Sequence, residues 1–123
     1  MAWIDETVLE FGRGFGIDGA SFATSSVVQF SFDRSGTLVM ERAPGFIQVY
    51  LARRLTLPIA PGTCVRALDL CHYRHGRPFA YATGFIGDDT LAFLVRIPDE
   101  EFTLPTLQQA FEGLVELHHT LSG

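Results

Sequence analysis

Four thiol and imidazole side chains lie close together in the middle of the sequence: Cys64, Cys71, His72 and His75. Sulfur and imidazole nitrogen are the ligands that zinc prefers, but this spacing matches no common structural zinc pattern. We therefore expect no metal and no other cofactor. Two cysteines are too few for a disulfide framework, so reduced thiols are expected. Seven residues apart, they could lie on one helix face as small buried hydrophobes.

Other groups that could do chemistry stand in contexts that do not support it. Asp88 and Asp89 are adjacent carboxylates, but they follow a glycine in a predicted turn. The three serines between residues 21 and 26 have no G-x-S-x-G sequence around them. The alternating glycines of residues 12–16 follow a predicted helix, whereas a phosphate-binding loop follows a strand. The sequence predicts a protein that is not an enzyme and has no small-molecule substrate, so its function should lie in its surfaces.

Charge is unevenly distributed along the chain. All nine basic residues are arginine, and the net charge is −5. Residues 1–41 sum to −4, residues 42–77 to +5 and residues 78–123 to −6. The arginines either belong to solvated faces that are balanced in three dimensions, or they form a positive patch for an acidic partner. Nucleic acid is not an expected partner, because the chain is acidic overall.

The apolar content is high for a small protein. Hydrophobic residues make up 47% of the 123 residues, and the mean hydropathy is +0.21. The longest apolar runs are only a few residues, so no membrane span is predicted. The N-terminal segment carries Asp5, Glu6 and Glu10 in place of a basic region, so no signal peptide is expected. High apolar content without a membrane span favours an oligomer or a binding protein with an exposed apolar surface.

Amphipathic helices are predicted at both ends. Apolar residues at positions 4, 8, 11 and 15 define one helical face over residues 2–15. A second such face recurs at Leu104, Leu107, Phe111, Leu114, His118 and Leu121. Thr103 is the predicted N-cap of this second helix. His118 and His119 are expected to interact favourably with the C-terminal end of the helix dipole.

Short alternating strands are predicted between the helices. Segments 27–32, 37–42 and 46–52 should form an antiparallel meander, because their connections are too short for a crossover. Segments 79–85 and 90–97 alternate in the same way. Residues 64–72 could form a short helix capped by Thr63, although a strand is also possible there. The predicted order is α-βββ-α-ββ-α, an α+β fold with an antiparallel sheet and helices.

Several segments, taken in order, resemble a known family. They are Met1-Ala2-Trp3-Ile4, Ser35-Gly36-Thr37-Leu38, Leu51-Ala52-Arg53, Ala67-Leu68 and the long block from Phe102-Thr103-Leu104-Pro105 to Glu112. Together they resemble the small class I secretion chaperones of bacterial type III systems, and among these the SycN type. The resemblance covers nearly the whole chain, and its C-terminal block is the most specific part.

The resemblance implies a fold and a function. It implies one secretion-chaperone domain over residues 1–123, in an acidic, cytoplasmic, non-enzymatic bacterial protein. It implies a heterodimer with a second small chaperone that binds the N-terminal segment of a YopN-like secreted gatekeeper and keeps it competent for secretion. Two other functions stay open at this point: a homodimeric chaperone of a secreted effector, and a small α+β ligand-binding module.

The resemblance also implies where the subunits meet. Family members tend to build the interface from the central helix and the strand after it. On this chain those positions are Val65, Leu68, Cys71, Phe79 and Tyr81. The alternative is that these side chains fill the chain's own core.

A client-binding surface is predicted on the first helix and the first strands. Trp3 lies off the apolar stripe of the first helix, so it could face outward, or it could close an edge of the sheet. With its apolar neighbours, the predicted client-binding residues are Trp3, Ile4, Val28, Phe30 and Leu38.

Overall fold

The computed structural model describes residues 2–17, 19–20, 22, 26–56, 59–72 and 75–122. The elements are, in order, α1 (Ala2–Arg13), β1 (Val27–Phe32), β2 (Gly36–Ala43), β3 (Phe46–Arg54), α2 (Thr63–Leu70), β4 (Ala82–Ile86), β5 (Thr90–Pro98), a 3₁₀ turn (Asp99–Glu101) and α3 (Leu104–Ser122). The predicted order and the antiparallel sheet are confirmed. Two of the three serines considered above, residues 21 and 25, lie outside the described residues.

All five strands form one antiparallel sheet in the order β1-β2-β3-β5-β4. Its register places Phe30, Leu38, Leu51 and Phe93 in one row across four strands, and all four are buried. Alternate side chains of a strand point to one face, so this row defines the face against which α1 and α3 pack.

The apolar stripe of α1 is buried as far as Phe11, and its last predicted member, Phe15, lies beyond the helix. The amides of Phe15 and Ile17 both donate to the carbonyl of Gly12, which ends the helix in a tight turn. The predicted end at residue 15 was therefore two residues too late. Phe15 instead packs edge-on against Phe32 and Phe111, with ring centroids 4.9 and 5.6 Å away.

Residues 63–70 form a helix, which decides between the two predicted structures of this segment. The N-cap is Gly62 and not Thr63, whose buried hydroxyl donates to the carbonyl of Ala60 at 2.7 Å. Thr63 and Ala67 are the buried residues of α2, so Cys64 is exposed and does not share a buried face with Cys71. Partial burial raises the pKa of the Cys71 thiol, although the nearby Arg77 charge acts in the opposite direction.

The fourth strand begins later than predicted. β4 starts at Ala82, so Phe79 and Tyr81 precede it. Tyr81 turns inward, and its hydroxyl lies directly against Gly113 of α3, where any side chain would occupy the same space. Burial raises the pKa of Tyr81 to about 12; the Arg77 charge lowers it and the Glu116 charge raises it. The predicted alternation of exposure nevertheless reaches back to residue 79, because Phe79, Tyr81 and Thr83 are more buried than Ala80, Ala82 and Gly84.

The prediction for His118 was wrong. Its side chain is 1% exposed, and its Nε2 lies 2.7 Å from the carbonyl oxygen of Leu51, to which the neutral ring donates. Burial lowers the pKa of His118 to about 4; the hydrogen bond to Leu51 opposes this shift, and the Arg53 charge adds to it. His118 is therefore neutral near pH 7 and connects α3 to the sheet, while His119 is exposed.

Candidate partner-binding surfaces

Helix α2 presents two aliphatic side chains to solvent. Val65 is 70% exposed and Leu68 is 62% exposed. Residues three apart are neighbours on a helix surface, so the two form one apolar stripe. Beside it, Val65 and Leu70 line a recess of about 410 Å³ that reaches Leu121 of α3. Exposed aliphatic groups on the face opposite the buried Ala67 suit contact with another chain.

Strand β4, which contacts α2, carries further exposed apolar residues. It is an outermost strand of the sheet, and Phe85 and Ile86 are both exposed. Next to them, Tyr50, Gly84 and Leu94 line a recess of about 290 Å³. A side chain at Gly84 would meet no atom within 4 Å. We use the name α2–β4 surface for Val65 and Leu68 on the helix side together with Phe85, Ile86 and this recess at the β4 edge of the sheet.

The predicted interface residues divide between this surface and the core. Val65 and Leu68 lie on it, whereas Cys71 and Phe79 are partly buried against the core. Tyr81 is 93% buried by its contact with α3, so the prediction of an interface role for its side chain needs correction. Phe85 and Ile86 were not predicted as interface residues. Their position at the end of an alternating segment, just before a Gly-Asp-Asp turn, could have indicated exposure at the edge of the sheet.

Further exposed apolar residues lie on α1, on the turn after it and on β1, the strand at the opposite edge of the sheet. Trp3, Phe15 and Val27 are exposed there, and we call them the α1–β1 surface. Helix α1 packs against β1, since the rings of Phe11 and Phe30 are 5.7 Å apart. Trp3 lies on that helix and Phe15 on the turn after it, whereas the side chain of Val27, at the start of β1, points to the other face of the sheet.

Only Trp3, of the five predicted client-binding residues, is exposed, at 37%. Ile4, Val28, Phe30 and Leu38 are buried in the chain's own core, so their side chains do not form a surface for a client. The physical reason is the two-residue period of a strand: these residues of β1 and β2 point toward the helices. The same period places Val27 on the other face, where sequence reasoning could have found it.

The structure adds little that resembles reaction chemistry. Among the described residues, no group of three or more histidine, cysteine, aspartate and glutamate side chains is placed to hold a metal ion. The Nε2 atom of His75 lies 2.9 Å from the backbone oxygen of Asp69 and 3.8 Å from its carboxylate. Over the same described ranges, no helix has the length and apolar character needed to cross a membrane.

The family model for the type III secretory system chaperone SycN matches residues 3–122. This chain belongs to the SycN family of type III secretion chaperones. The chaperone protein SycN of Yersinia enterocolitica is 30% identical to it over 117 residues, which cover 95% of this chain and 94% of that protein. Membership makes this SycN-family chain a type III secretion chaperone, as the resemblance implied, and not an enzyme.

Two solved structures share the fold of this SycN-family chain. The ExsC–ExsE complex superposes with a TM-score of 0.75 at 14% identity, over 94% of this chain and 87% of that one. The HopA1–SchA chaperone–effector complex gives a TM-score of 0.70 at 18% identity, over 98% and 94% of the two chains. At these identities the likeness shows the fold alone, and it is the class I type III secretion chaperone fold that was predicted.

Proposed function

We propose that this chain forms a heterodimer with a second small chaperone, and that the pair binds the N-terminal segment of a secreted gatekeeper in the bacterial cytoplasm. The pair keeps that segment extended and competent for secretion. The observation that carries the proposal is the exposure of Val65 and Leu68 beside an outermost strand. Membership of the SycN family supports the choice of a gatekeeper as the client.

The α2–β4 surface has the physical properties of a subunit interface. Burying an aliphatic side chain contributes about 1.5–3 kcal/mol, so Val65 and Leu68 favour association once a partner covers them. A typical interface buries about 800 Å² on each side, which needs more than a helix stripe. The open space above Gly84 allows a second chain to approach the sheet closely and supply that area.

Charges near this surface favour a different chain over a second copy. Arg66 and Arg77 lie on and beside α2, and both donate to backbone carbonyls of this chain. Two copies meeting through α2 would bring these arginines toward each other, and like charges at an interface disfavour pairing. A partner with acidic residues at the matching positions avoids this repulsion.

The α1–β1 surface is the proposed site for the client. An extended segment can lie along the outermost strand β1, with side chains that alternate between the helix face, toward Trp3 and Phe15, and the other face, toward Val27. The ordering entropy of the client is then offset by the apolar area that it buries. Binding energy alone would keep the client extended, without ATP.

Leu68→Asp should leave the chain folded but prevent its pairing with the second chaperone. The side chain is exposed, so a charge there costs little in the isolated chain, whereas a buried unpaired carboxylate in the interface is strongly unfavourable. Size-exclusion chromatography with light scattering of coexpressed chains would measure the loss of the dimer. Gly84→Glu should act in the same way from the strand side of the surface.

Gln108→Asp is the matched control, because it adds the same charge at an exposed position of α3. It should leave the dimer intact. If the Leu68→Asp chain and the Gly84→Glu chain both still pair with the second chaperone, the proposed interface is wrong.

Trp3→Ala should weaken client binding about tenfold while changing the melting temperature little. Removing a half-exposed aromatic anchor loses contact area with the client but opens only a small cavity in the chaperone. Titration of the chaperone pair with the gatekeeper segment, alongside thermal unfolding, would measure both effects. Trp3→Phe, which keeps an aromatic ring, should retain most of the affinity. A large drop in melting temperature would place Trp3 in the core instead.

Copurification from the native source tests the whole proposal. The expected result is two different small chains with one larger secreted protein, and a chain that self-associates when it is expressed alone. A single small chain with a large effector would support the homodimeric alternative. A monomeric chain without a protein partner would favour the ligand-binding module.

A further inference from the structure

Three arginines of this acidic protein lie around one recess. Arg34, Arg53 and Arg54 line a depression of about 500 Å³ where β1, β2 and β3 meet the β1–β2 turn. Asp33, the apolar Phe32 and the polar Thr37 also line it. A net charge of −5 for the whole chain makes such a cluster unusual on its surface.

The β1–β2 turn is held over the end of β3 by backbone geometry. Gly36 has a φ of +102°, and any side chain there would collide with the carbonyl oxygen of Ala52. This close approach lets the Nε of Arg53 donate to the carbonyl of Ser35 at 3.3 Å. Arg34, the residue before Ser35, lines the same recess as Arg53.

The positive charges of these three arginines are only partly neutralised by ion pairs within the chain. Arg54 forms an ion pair with Asp89, with Nε 3.2 Å from the carboxylate oxygen. Within the described part of the chain, Arg34 and Arg53 form no ion pair. Burial lowers the pKa of Arg53, and no carboxylate charge opposes that shift. A partly buried guanidinium without an acidic partner is unfavourable, and a carboxylate from another molecule would relieve this.

Arg53 also lines a second, smaller recess of about 280 Å³ on the side of α2 and α3. That recess includes Arg66 and the apolar side chains Leu55 and Leu121. One of the donors of Arg66 is used by the backbone oxygen of Leu121. An extended segment with alternating acidic and apolar side chains could therefore place carboxylates near the arginines of both recesses, and its apolar side chains near Leu55 and Leu121.

The recess adjoins the α1–β1 surface. Phe32 lines the recess, and its ring contacts Phe15 of that surface at a centroid distance of 4.9 Å. A segment that lies along α1 and β1 can therefore continue past Phe15 into the arginine recess. A nucleic acid is a poor fit, because the overall negative charge repels a phosphate backbone outside this small area.

We propose that the arginine recess binds an acidic stretch of the secreted client, with carboxylates on Arg34 and Arg53. The planar guanidinium offers donors in a fork that matches a carboxylate, which gives direction as well as affinity. The acidic stretch would thus fix the orientation of the client along the α1–β1 surface. This inference rests on the proposed client function and adds the chemistry of the segment that is recognised.

The test uses the full chain, purified with any small chaperone that accompanies it, and a capped peptide of alternating glutamate and alanine. The glutamate peptide should bind, and its affinity should fall as salt is added. The matched glutamine peptide should not bind. Backbone amide shifts on addition of the glutamate peptide should centre on Arg34, Gly36 and Arg53.

Arg34→Glu should weaken binding of the glutamate peptide about tenfold, because a charge-assisted hydrogen bond is replaced by repulsion. Arg96→Glu makes the same charge change on another part of the sheet and should retain the affinity. Equal losses in both variants would show a general charge effect and overturn the proposal. Equal binding of the glutamine peptide would also overturn it. Inorganic phosphate that binds as tightly as the peptide at the same amides would show a small-anion site instead.

The two proposals can fail separately. If the glutamate peptide binds as expected but no gatekeeper copurifies, the recess is established and the assignment of the client is wrong. If the gatekeeper copurifies but the peptide does not bind, the chaperone proposal stands and the arginine recess has another role.

Discussion

Acidification from about pH 7.5 to about pH 4 should reduce the free energy of unfolding by about 3 kcal/mol through His118 alone. Its pKa is lowered to about 4 in the folded chain, chiefly because the ring is buried. The ordinary histidine pKa of about 6.5 applies when the chain is unfolded. The unfolded state therefore binds more protons between these values, and stability falls as the pH drops through this window.

The surroundings of His118 explain the size of the effect. The ring packs edge-on against Phe93 at a centroid distance of 4.8 Å, and its Nε2 donates to the carbonyl of Leu51. The charge that acts on the ring is the cation Arg53. No anion is among the causes of the shift, so a charged imidazolium would be buried without compensation. Protonation should favour separation of α3 from the sheet.

Urea unfolding at the two pH values would measure this prediction. His118→Gln retains an amide donor that can reach Leu51 but cannot titrate, so this variant should lose about 3 kcal/mol less than the wild type on acidification. His119→Gln, an exposed neighbour on the same helix, is the control and should behave like the wild type. If His118→Gln shows the same pH dependence as the wild type, other groups cause the acid sensitivity.

Gly113→Ala should destabilise the fold by about 2 kcal/mol, although the same exchange in an ordinary helix stabilises by about 0.5–1 kcal/mol. The added methyl group would overlap the hydroxyl of Tyr81 and come within 2.9 Å of the ring carbon that carries it. Tyr81 is buried, so its ring cannot move aside freely. Thermal unfolding of the purified variant would measure the loss.

Tyr81→Phe provides the matched second variant. Its hydroxyl is buried without a hydrogen-bond partner among the described residues, so its removal alone should be neutral or slightly stabilising. In the double variant, the loss caused by Gly113→Ala should shrink but not vanish, because the ring carbon remains close. Additive effects of the two changes would show that Gly113 and Tyr81 do not interact.

Periodicity was sufficient to predict the two terminal helices and the strands, whereas the segment that forms α2 was left open between helix and strand. Apolar spacing in α1 and α3 and alternation in the strands gave the order of helices and strands and the antiparallel sheet. The buried face of β5 was also predictable, because Leu91, Phe93, Val95 and Ile97 are large apolar residues at alternate positions of one strand. These properties are local, since a side chain's face within its own element depends only on backbone geometry.

Periodicity did not show which face of each element is covered. The same alternation that groups Val28 with Phe30 does not tell whether a helix or a client covers them, and α1 does so. Likewise, Val65 and Leu68 form an apolar stripe that a core or a partner could bury, and here it faces solvent.

Side-chain chemistry depended most on tertiary contacts. His118 near a helix end was expected to be a favourable cation, yet packing against Phe93 keeps it neutral. The arginine recess joins residues 34 and 53, which are far apart in the sequence, because the β1–β2 turn crosses the end of β3. The protonation state of His118 follows from burial, which exists only once α3 has packed on the sheet, and the arginine cluster follows from long-range pairing of the strands.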